Sequence, residues 1–171
     1  RKLNFTYDLT NIKHTHLIGS PLYLNEIVIN ILGNCVKYTK DGGSISFLIQ
    51  EIEPKEPEKE DKLKLEHIQH IQKADHTKKA AFCFTMQDTG IGMSKEFLEK
   101  IYEPFTQETM SSRTNYEGTG LGMTIVKNLL DKIGGTMEIE SELGVGSKFT
   151  IYLEYEIDQE AQKKAEIEVQ A

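Results

Sequence analysis

Residues 88–93 read DTGIGM, and residues 118–123 read GTGLGM. The two share the pattern Thr-Gly-aliphatic-Gly-Met. A duplicated unit would carry matching flanks, but SKEFLEKIYEPF follows the first and TIVKNLLDKIGG the second. They are not copies of one unit. Each follows an extended segment and opens a helix. Glycine lets the backbone approach a ligand closely, and a helix start presents unpaired N–H groups to an anion. GTGLGM, ahead of a long helix, therefore reads as a phosphate cradle. It is not the dinucleotide fingerprint, because Met123 stands at the third glycine position, and it is not a P-loop, because no Gly-Lys-Ser/Thr is present. Asp88 ends an apolar strand at a glycine turn, either as a turn former or as a buried acceptor for a donor on a ligand.

Upstream, LYLNEIVINILGNCVKY (22–38) places Leu24, Ile27, Val28, Ile31, Leu32, Cys35 and Val36 at offsets of three and four, the pattern of an amphipathic helix. Ser20 and Pro21 supply its N-cap and first-turn proline. Glu26, Asn30, Asn34 and Lys37 fall on the opposite face. A solvent face would favour Lys, Glu and Gln, whereas Asn costs up to roughly 0.7 kcal/mol relative to Ala in a helix. Two mid-helix Asn on that face suggest side-chain chemistry. A carboxamide oxygen is a hard ligand suited to Mg²⁺, and Lys37 can meet phosphate as a point charge.

The rest of the chain supplies a sheet. KLNFTYDL (2–9) alternates, with Leu3, Phe5, Tyr7 and Leu9 on one face. KDGG (40–43) is a turn, and SISFLIQEI (44–52) and AAFCFTMQ (80–87) are strands flanking a charged insert at 53–79. A loop of that length costs only about 2 kcal/mol more to close than a tight one. A short helix is expected near 94–101. LGMTIVKNLLDKI (121–133) reads as a helix with Leu121, Ile125, Leu129 and Ile133 in register, stopped by Gly134-Gly135. TMEIES (136–141) and SKFTIYLEYEI (147–157) close the pattern as a hairpin. The expected architecture is α+β: a two-layer α/β sandwich, its mostly antiparallel mixed sheet of about five strands covered on one face by helices. One domain spans 1–157, followed by an acidic tail or linker at 158–171.

Composition narrows the function. The net charge is −7. The stretches 51–64 and 154–171 each hold six acids against four and two bases, leaving fifteen acids and fourteen bases elsewhere. Acidity is thus confined to an insert and a tail, and no basic nucleic-acid footprint is present. No run of eighteen apolar residues and no signal-peptide pattern occurs, so this piece is expected to make no membrane contact. It begins mid-pattern at Arg1 and reads as part of something longer. Cys35 and Cys83 read as small buried hydrophobes of a reducing compartment, not as a disulfide. His67 and His70 form no metal-ligand spacing with a Cys or a third ligand.

Taken in order, these stretches resemble the catalytic ATP-binding domain of sensor histidine kinases, in the superfamily shared with the gyrase, Hsp90 and MutL ATPases. NEIVINILGNCVKYT (25–39) resembles the N box, DTGIGM the G1 box, YEPF (102–105) the F box, GTGLGM the G2 box, and GVGSKFTIYL (144–153) the closing glycine and strand motif. The ordered set covers about 150 residues and is far more specific than any one box.

The resemblance implies ATP and Mg²⁺ as ligands, with Asn34 the metal-binding residue and Asn30 near the triphosphate. Asn30, Asn34 and Lys37 would carry catalysis, and Lys37 and Tyr38 would contact phosphate and line the nucleotide pocket. Asp88 would accept from the adenine 6-amino group, with Gly90, Ile91 and Gly92 backing the base. Gly118, Thr119, Gly120, Leu121 and Gly122 would cradle phosphates. Residues 106–117 would be the ATP lid, with Phe105 its aromatic anchor and Arg113 reaching the γ-phosphate. Ser147 would hold an adenine-side water network. The implied activity is transfer of the γ-phosphoryl group to a histidine on a separate dimerisation domain, then to a response-regulator receiver domain, in bacterial-type two-component signalling in the cytoplasm. A membrane anchor elsewhere in the parent is left open. None of His14, His16, His67, His70 and His76 has the acceptor's context. Cys35 and Met123 depart from the common Ala and Leu, Asn25 stands where Gln is common, and the insert is longer than usual. Two alternatives stand beside this reading: an ATP-gated conformational ATPase, whose relatives carry a Glu base at the position of Asn30, and a degenerate nucleotide-binding module.

Overall fold

The computed structural model describes residues 2–55, 78–106 and 119–170. In chain order its elements are β1 (Asn4–Thr10), β2 (Leu17–Ile18), α1 (Pro21–Tyr38), β3 (Ser44–Ile52), β4 (Lys79–Asp88), α2 (Lys95–Glu99), α3 (Gly122–Ile133), β5 (Thr136–Glu142), β6 (Gly146–Ile157) and α4 (Gln159–Gln170). The expected cap signals operate. Ser20 accepts from the Tyr23 N–H at 3.3 Å with Pro21 at the helix start, and Gly134 closes α3 in a left-handed turn at φ 73°.

Among the described residues the sheet has six strands in the order β1-β3-β4-β6-β2, with β5 also on β6. The two-residue β2 carries too little periodicity to be read from sequence. The twelve-residue β6 is long enough to serve β5 through Gly146–Tyr152 and β2 through Glu156–Ile157 along one edge. Its other edge pairs antiparallel with β4, and β4 pairs antiparallel with β3. Among the described strands only β1 lies parallel, on β3.

Cross-strand partners point to the same side of a sheet. On the helix-covered side β4 presents Phe82, Phe84, Met86 and Asp88, opposite Leu153, Ile151, Phe149 and Ser147 of β6. The six apolar members of this ladder are buried against Ile27, Ile31 and Cys35 of α1 and Met123, Val126 and Leu130 of α3. The ladder ends in two buried polar residues, Asp88 and Ser147, 6% and 8% exposed. This break in an otherwise apolar series marks the site.

Burial departs from the sequence pattern in three places. The β1 alternation is real, but Phe5, Tyr7 and Leu9 are 52%, 76% and 60% exposed. They share a face with Ile45, Phe47 and Ile49 of β3, yet α1 packs over β4 and α3 and leaves this outer strand beyond helical cover among the described residues. The α3 stripe also has the right period and the wrong phase. The buried residues are Met123, Val126 and Leu130, with Leu129 and Ile133 partly covered, while Ile125 is 39% exposed. Cys83 is only half-buried, on the opposite sheet face from Cys35, and both thiols are free.

The tail forms α4. Its Gln162 carboxamide accepts from the Thr15 N–H at 3.1 Å and donates to the Lys13 carbonyl at 3.2 Å, tying the helix start to the β1–β2 loop. Glu51 holds the same loop, accepting from the backbone N–H groups of Lys13 and His14 and bonding the His14 ring. Most of the 53–79 insert, including His67, His70 and His76, lies outside the described residues. Among the described residues no helix is long and apolar enough to cross a membrane.

Candidate nucleotide site

A cavity of about 300 Å³ opens where the C-terminal half of α1 meets the start of α3 and the loop after β4. Asn30, Asn34, Lys37 and Tyr38 line it from α1, Asp88, Ile91 and Gly92 from the β4 loop, Thr119, Gly120 and Gly122 from the α3 entry, and Ser147 from β6. The two glycine motifs thus face one cavity. Gly90, Leu121 and Phe105 are not on its wall. Gly90 lies beneath the surface, where its N–H donates to Asp88 Oδ1 at 2.8 Å. Phe105 is 74% exposed at φ 62°, its N–H bonded to the Gly120 carbonyl at 3.1 Å. Arg113, Gly118 and all of the 106–117 lid except Thr106 lie outside the described residues. Glu26 is exposed off the cavity, and its carbonyl takes the Asn30 Nδ2 donor at 2.7 Å.

The β4 loop is fixed from two sides. The Ile91 N–H donates to the Tyr38 carbonyl at the end of α1 at 3.2 Å, and the Gly144 N–H of the β5–β6 turn donates to the Ile91 carbonyl at 2.8 Å. At Gly92, with φ +69°, an added Cβ would overlap the Glu142 carbonyl. At Gly146, with φ +143°, it would overlap the Asp88 carbonyl. Backbone-to-backbone seating at both seams therefore requires glycine. Ser141 ties the seam further: its Oγ accepts from the Met93 N–H at 2.8 Å and lies 2.8 Å from Ser147 Oγ.

Asp88 is the buried acid of the floor. Burial pushes its carboxyl above the ordinary 3.8, while the N–H of Gly90, the Cys35 thiol and the N–H of Ser147 pull it back by hydrogen bonding. Burial, reinforced by the nearby Asp88 charge, holds the Cys35 thiol far above its usual range. At the other end, Gly122 sits so close to Asn30 that a Cβ there would lie 3.1 Å from Asn30 Oδ1. The first turn of α3 thus meets the carboxamide stripe of α1. That helix end carries positive dipole and orphan N–H groups, a setting for an anion. Lys37, whose Nζ lies 4.8 Å from the Tyr38 ring centroid, adds a cation.

The sequence reading missed the apolar wall: Met93, Phe97, Ile101, Met123 and Phe149, with Ile29, Gly33 and Thr106 at the edge. A signal existed for two of these, since Met93 and Met123 are the shared last residues of the repeated motifs. The others join only through packing of α2 and β6.

The family model described as histidine kinase-, DNA gyrase B-, and HSP90-like ATPase matches residues 19–157. Hybrid signal transduction histidine kinase A of Dictyostelium discoideum is 32% identical over 136 residues, 78% of this chain and 6% of that protein. The autoinducer 2 sensor kinase/phosphatase LuxQ of Vibrio cholerae is 34% identical over 149 residues, 86% of this chain and 15% of that protein. The chain therefore spans a small part of these relatives. Among solved structures, the mycobacterial sensor histidine kinase MprB superposes with a TM-score of 0.62 at 21% identity, covering 91% of this chain and 85% of that one. Full-length ShkA in complex with AMPPNP gives 0.61 at 22%, covering 91% and 26%. Both share the fold.

Proposed function

The chain belongs to the histidine kinase-, DNA gyrase B-, and HSP90-like ATPase family, and on that premise we propose that its cavity holds ATP for phosphoryl transfer to a histidine on a separate domain. One observation carries the reading: a single cavity is lined by a buried carboxylate, by two carboxamides and by the first turn of α3, with Gly122 set against Asn30. The carboxylate takes the adenine 6-amino group. The α3 entry, from Thr119 to Gly122, takes the phosphates, with Lys37 neutralising charge and Asn30 orienting oxygens. Met93, Phe97 and Met123 pack the base and exclude water.

The donor set fits a Mg²⁺ ion, since the Asn34 carboxamide is a hard oxygen ligand beside the expected phosphates. Asn34 would hold the ion, which when bound would supply neutralisation of phosphate charge. The chain's own contribution is positioning. It aligns the γ-phosphorus with the incoming imidazole nitrogen, so that the N–P bond forms as the bond to the β-phosphate bridging oxygen breaks and ADP leaves. The acceptor histidine belongs to a dimerisation domain, a receiver domain accepts the group afterwards, and the reaction runs in the cytoplasm.

Asn30 separates this reading from ATP hydrolysis by the same cavity. An amide is no general base, so the position that would activate water lacks a proton acceptor. Calorimetric titration with ATP and Mg²⁺ tests the proposal. The parent chain binds, Asp88→Asn loses at least tenfold in affinity, and Asn34→Ala loses the Mg²⁺-dependent part. The chain alone does not label itself with γ-labelled ATP. Absence of binding refutes the ATP reading, stoichiometric phosphohistidine on this chain alone refutes the separate acceptor, and steady hydrolysis abolished by Asn30→Ala favours the ATPase.

A further inference from the structure

Ser147 has Asp88 of β4 as its cross-strand partner on one side and Ser141 of β5 on the other. Cross-strand partners share a face of the sheet, so the three side chains stand in a row. Asp88 and Ser147 line the cavity, and both are buried. Ser141 Oγ meets the Met93 N–H at 2.8 Å, the Gly146 carbonyl at 3.0 Å and Ser147 Oγ at 2.8 Å. Two of these groups have no choice of role: an N–H only donates and a carbonyl only accepts. The single Ser141 proton is therefore committed to the Gly146 carbonyl. Ser147 must then donate its own proton to Ser141 Oγ, whose two lone pairs serve Met93 and Ser147. Only lone pairs of Ser147 are left to turn toward the cavity.

We propose that Ser141 is a positioning residue for base selection: by holding the Ser147 proton away from the cavity, it makes the floor beside Asp88 accept hydrogen bonds only. The proposal rests on the reading that Asp88 meets the nucleotide base, and it adds a second acceptor whose polarity is fixed from outside the cavity. The carboxylate is held as well, since Asp88 Oδ1 takes the Gly90 N–H at 2.8 Å. An exocyclic amino group carries two N–H donors and suits a pair of acceptors. A 6-oxo base turns a carbonyl to the same place, lone pair against lone pair, and leaves buried acceptors unpaired. With alanine at 141, the Ser147 hydroxyl loses its fixed acceptor and rotates to suit what it faces. It then donates to such a carbonyl. Threonine at 141 keeps the hydroxyl and so keeps the lock.

The test measures binding of ATP and of inosine triphosphate, its 6-oxo counterpart, by calorimetry in the parent, Ser141→Ala, Ser141→Thr, the double variant Ser141→Ala/Ser147→Ala and Asp88→Asn. The parent prefers ATP by about tenfold or more, the worth of one hydrogen bond to a charged group. Ser141→Ala lowers that ratio about fivefold, the worth of one neutral hydrogen bond, because inosine triphosphate binds more tightly than to the parent. A loosened Met93 seam would weaken both nucleotides and cannot produce that gain. Ser141→Thr keeps the parent ratio, and the double variant loses the gain, which needs the Ser147 hydroxyl. No gain in Ser141→Ala, or a gain that survives in the double variant, overturns the role of Ser141; a lowered preference in Asp88→Asn then leaves the base reading intact. An ATP preference unchanged in Asp88→Asn overturns the base reading itself. Should Ser141→Ala fail to fold, neutron diffraction from crystals of the parent decides. A Ser147 deuteron directed at Ser141 Oγ supports the proposal, and one directed into the cavity refutes it.

Discussion

Substituting Gly92 by alanine should disable the site through the loop seam. Gly144 provides a matched control in the same seam. Both residues have left-handed backbone, φ +69° and +79°. At Gly144 an added Cβ meets nothing within 4 Å. Its cost is the left-handed penalty of about 1 kcal/mol, partly offset by about 0.5 kcal/mol from a stiffer unfolded chain. At Gly92 the same backbone cost applies, but the Cβ overlaps the Glu142 carbonyl and lies 3.0 Å from the Leu143 Cα. Carbon and carbonyl oxygen meet at roughly 3.3 Å at closest. The loop must lift from the β5–β6 turn, stretching the Gly144-to-Ile91 and Met93-to-Ser141 hydrogen bonds, both 2.8 Å. Each contributes about 1 kcal/mol. Gly92→Ala should therefore destabilise by about 3 kcal/mol and Gly144→Ala by less than about 1 kcal/mol. At a urea m-value of about 2 kcal/mol/M the two midpoints should differ by about 1 M. Because Ile91, Gly92 and Met93 line the cavity, Gly92→Ala should also weaken ATP binding more than tenfold while Gly144→Ala leaves it near parent level. Equal midpoints and equal affinities for the two variants would refute the seam.

Leu130→Ala should cost about 2–5 kcal/mol by opening a cavity between α1 and α3, measured by urea denaturation; a cost under about 1 kcal/mol would mean that α3 is not seated as described. Glu51 gives a pH signature. Burial alone would raise its carboxyl, but hydrogen bonds from the His14 ring and from the backbone N–H groups of His14 and Lys13 outweigh that and leave it below 4.5. A carboxyl lowered on folding stabilises fully above its unfolded value and ceases to as pH falls through its folded value. Parent and Glu51→Gln should thus differ in melting temperature at neutral pH and converge below about pH 4, whereas a constant gap down to pH 3 would contradict the assignment. Gln162→Ala should release the start of α4 from the β1–β2 loop, seen as faster amide exchange at Thr15 and along α4 with ATP affinity unchanged; unaltered exchange would show that the bridge holds nothing.

Sequence alone determined the longer elements up to β6 and the chemistry each can offer. Alternation marked β3, β4, β5 and β6, since side chains of a strand repeat every two residues. Ser20, Pro21 and Gly134 fixed helix ends through backbone conformations that few residues supply. The ordered boxes pointed to the family, because carboxamides on a helix and glycines at two loops are unrelated requirements that one nucleotide site brings together. Phase was decided by tertiary structure. Met123, Val126 and Leu130 turn inward in place of Leu121 and Ile125, because a helix with apolar residues over a wide arc is oriented by what it packs against. Phe5, Tyr7 and Leu9 stay exposed because parallel pairing on β3 puts β1 outside the helices. Gly90 falls behind the cavity wall and Gly122 against Asn30, since these distances depend on strands and helices far apart in the chain. The placing of Asp88 beside Ser147 and beneath α1 is likewise a product of register. Residues separated by more than fifty positions meet there only when β4, β6 and α1 are packed together.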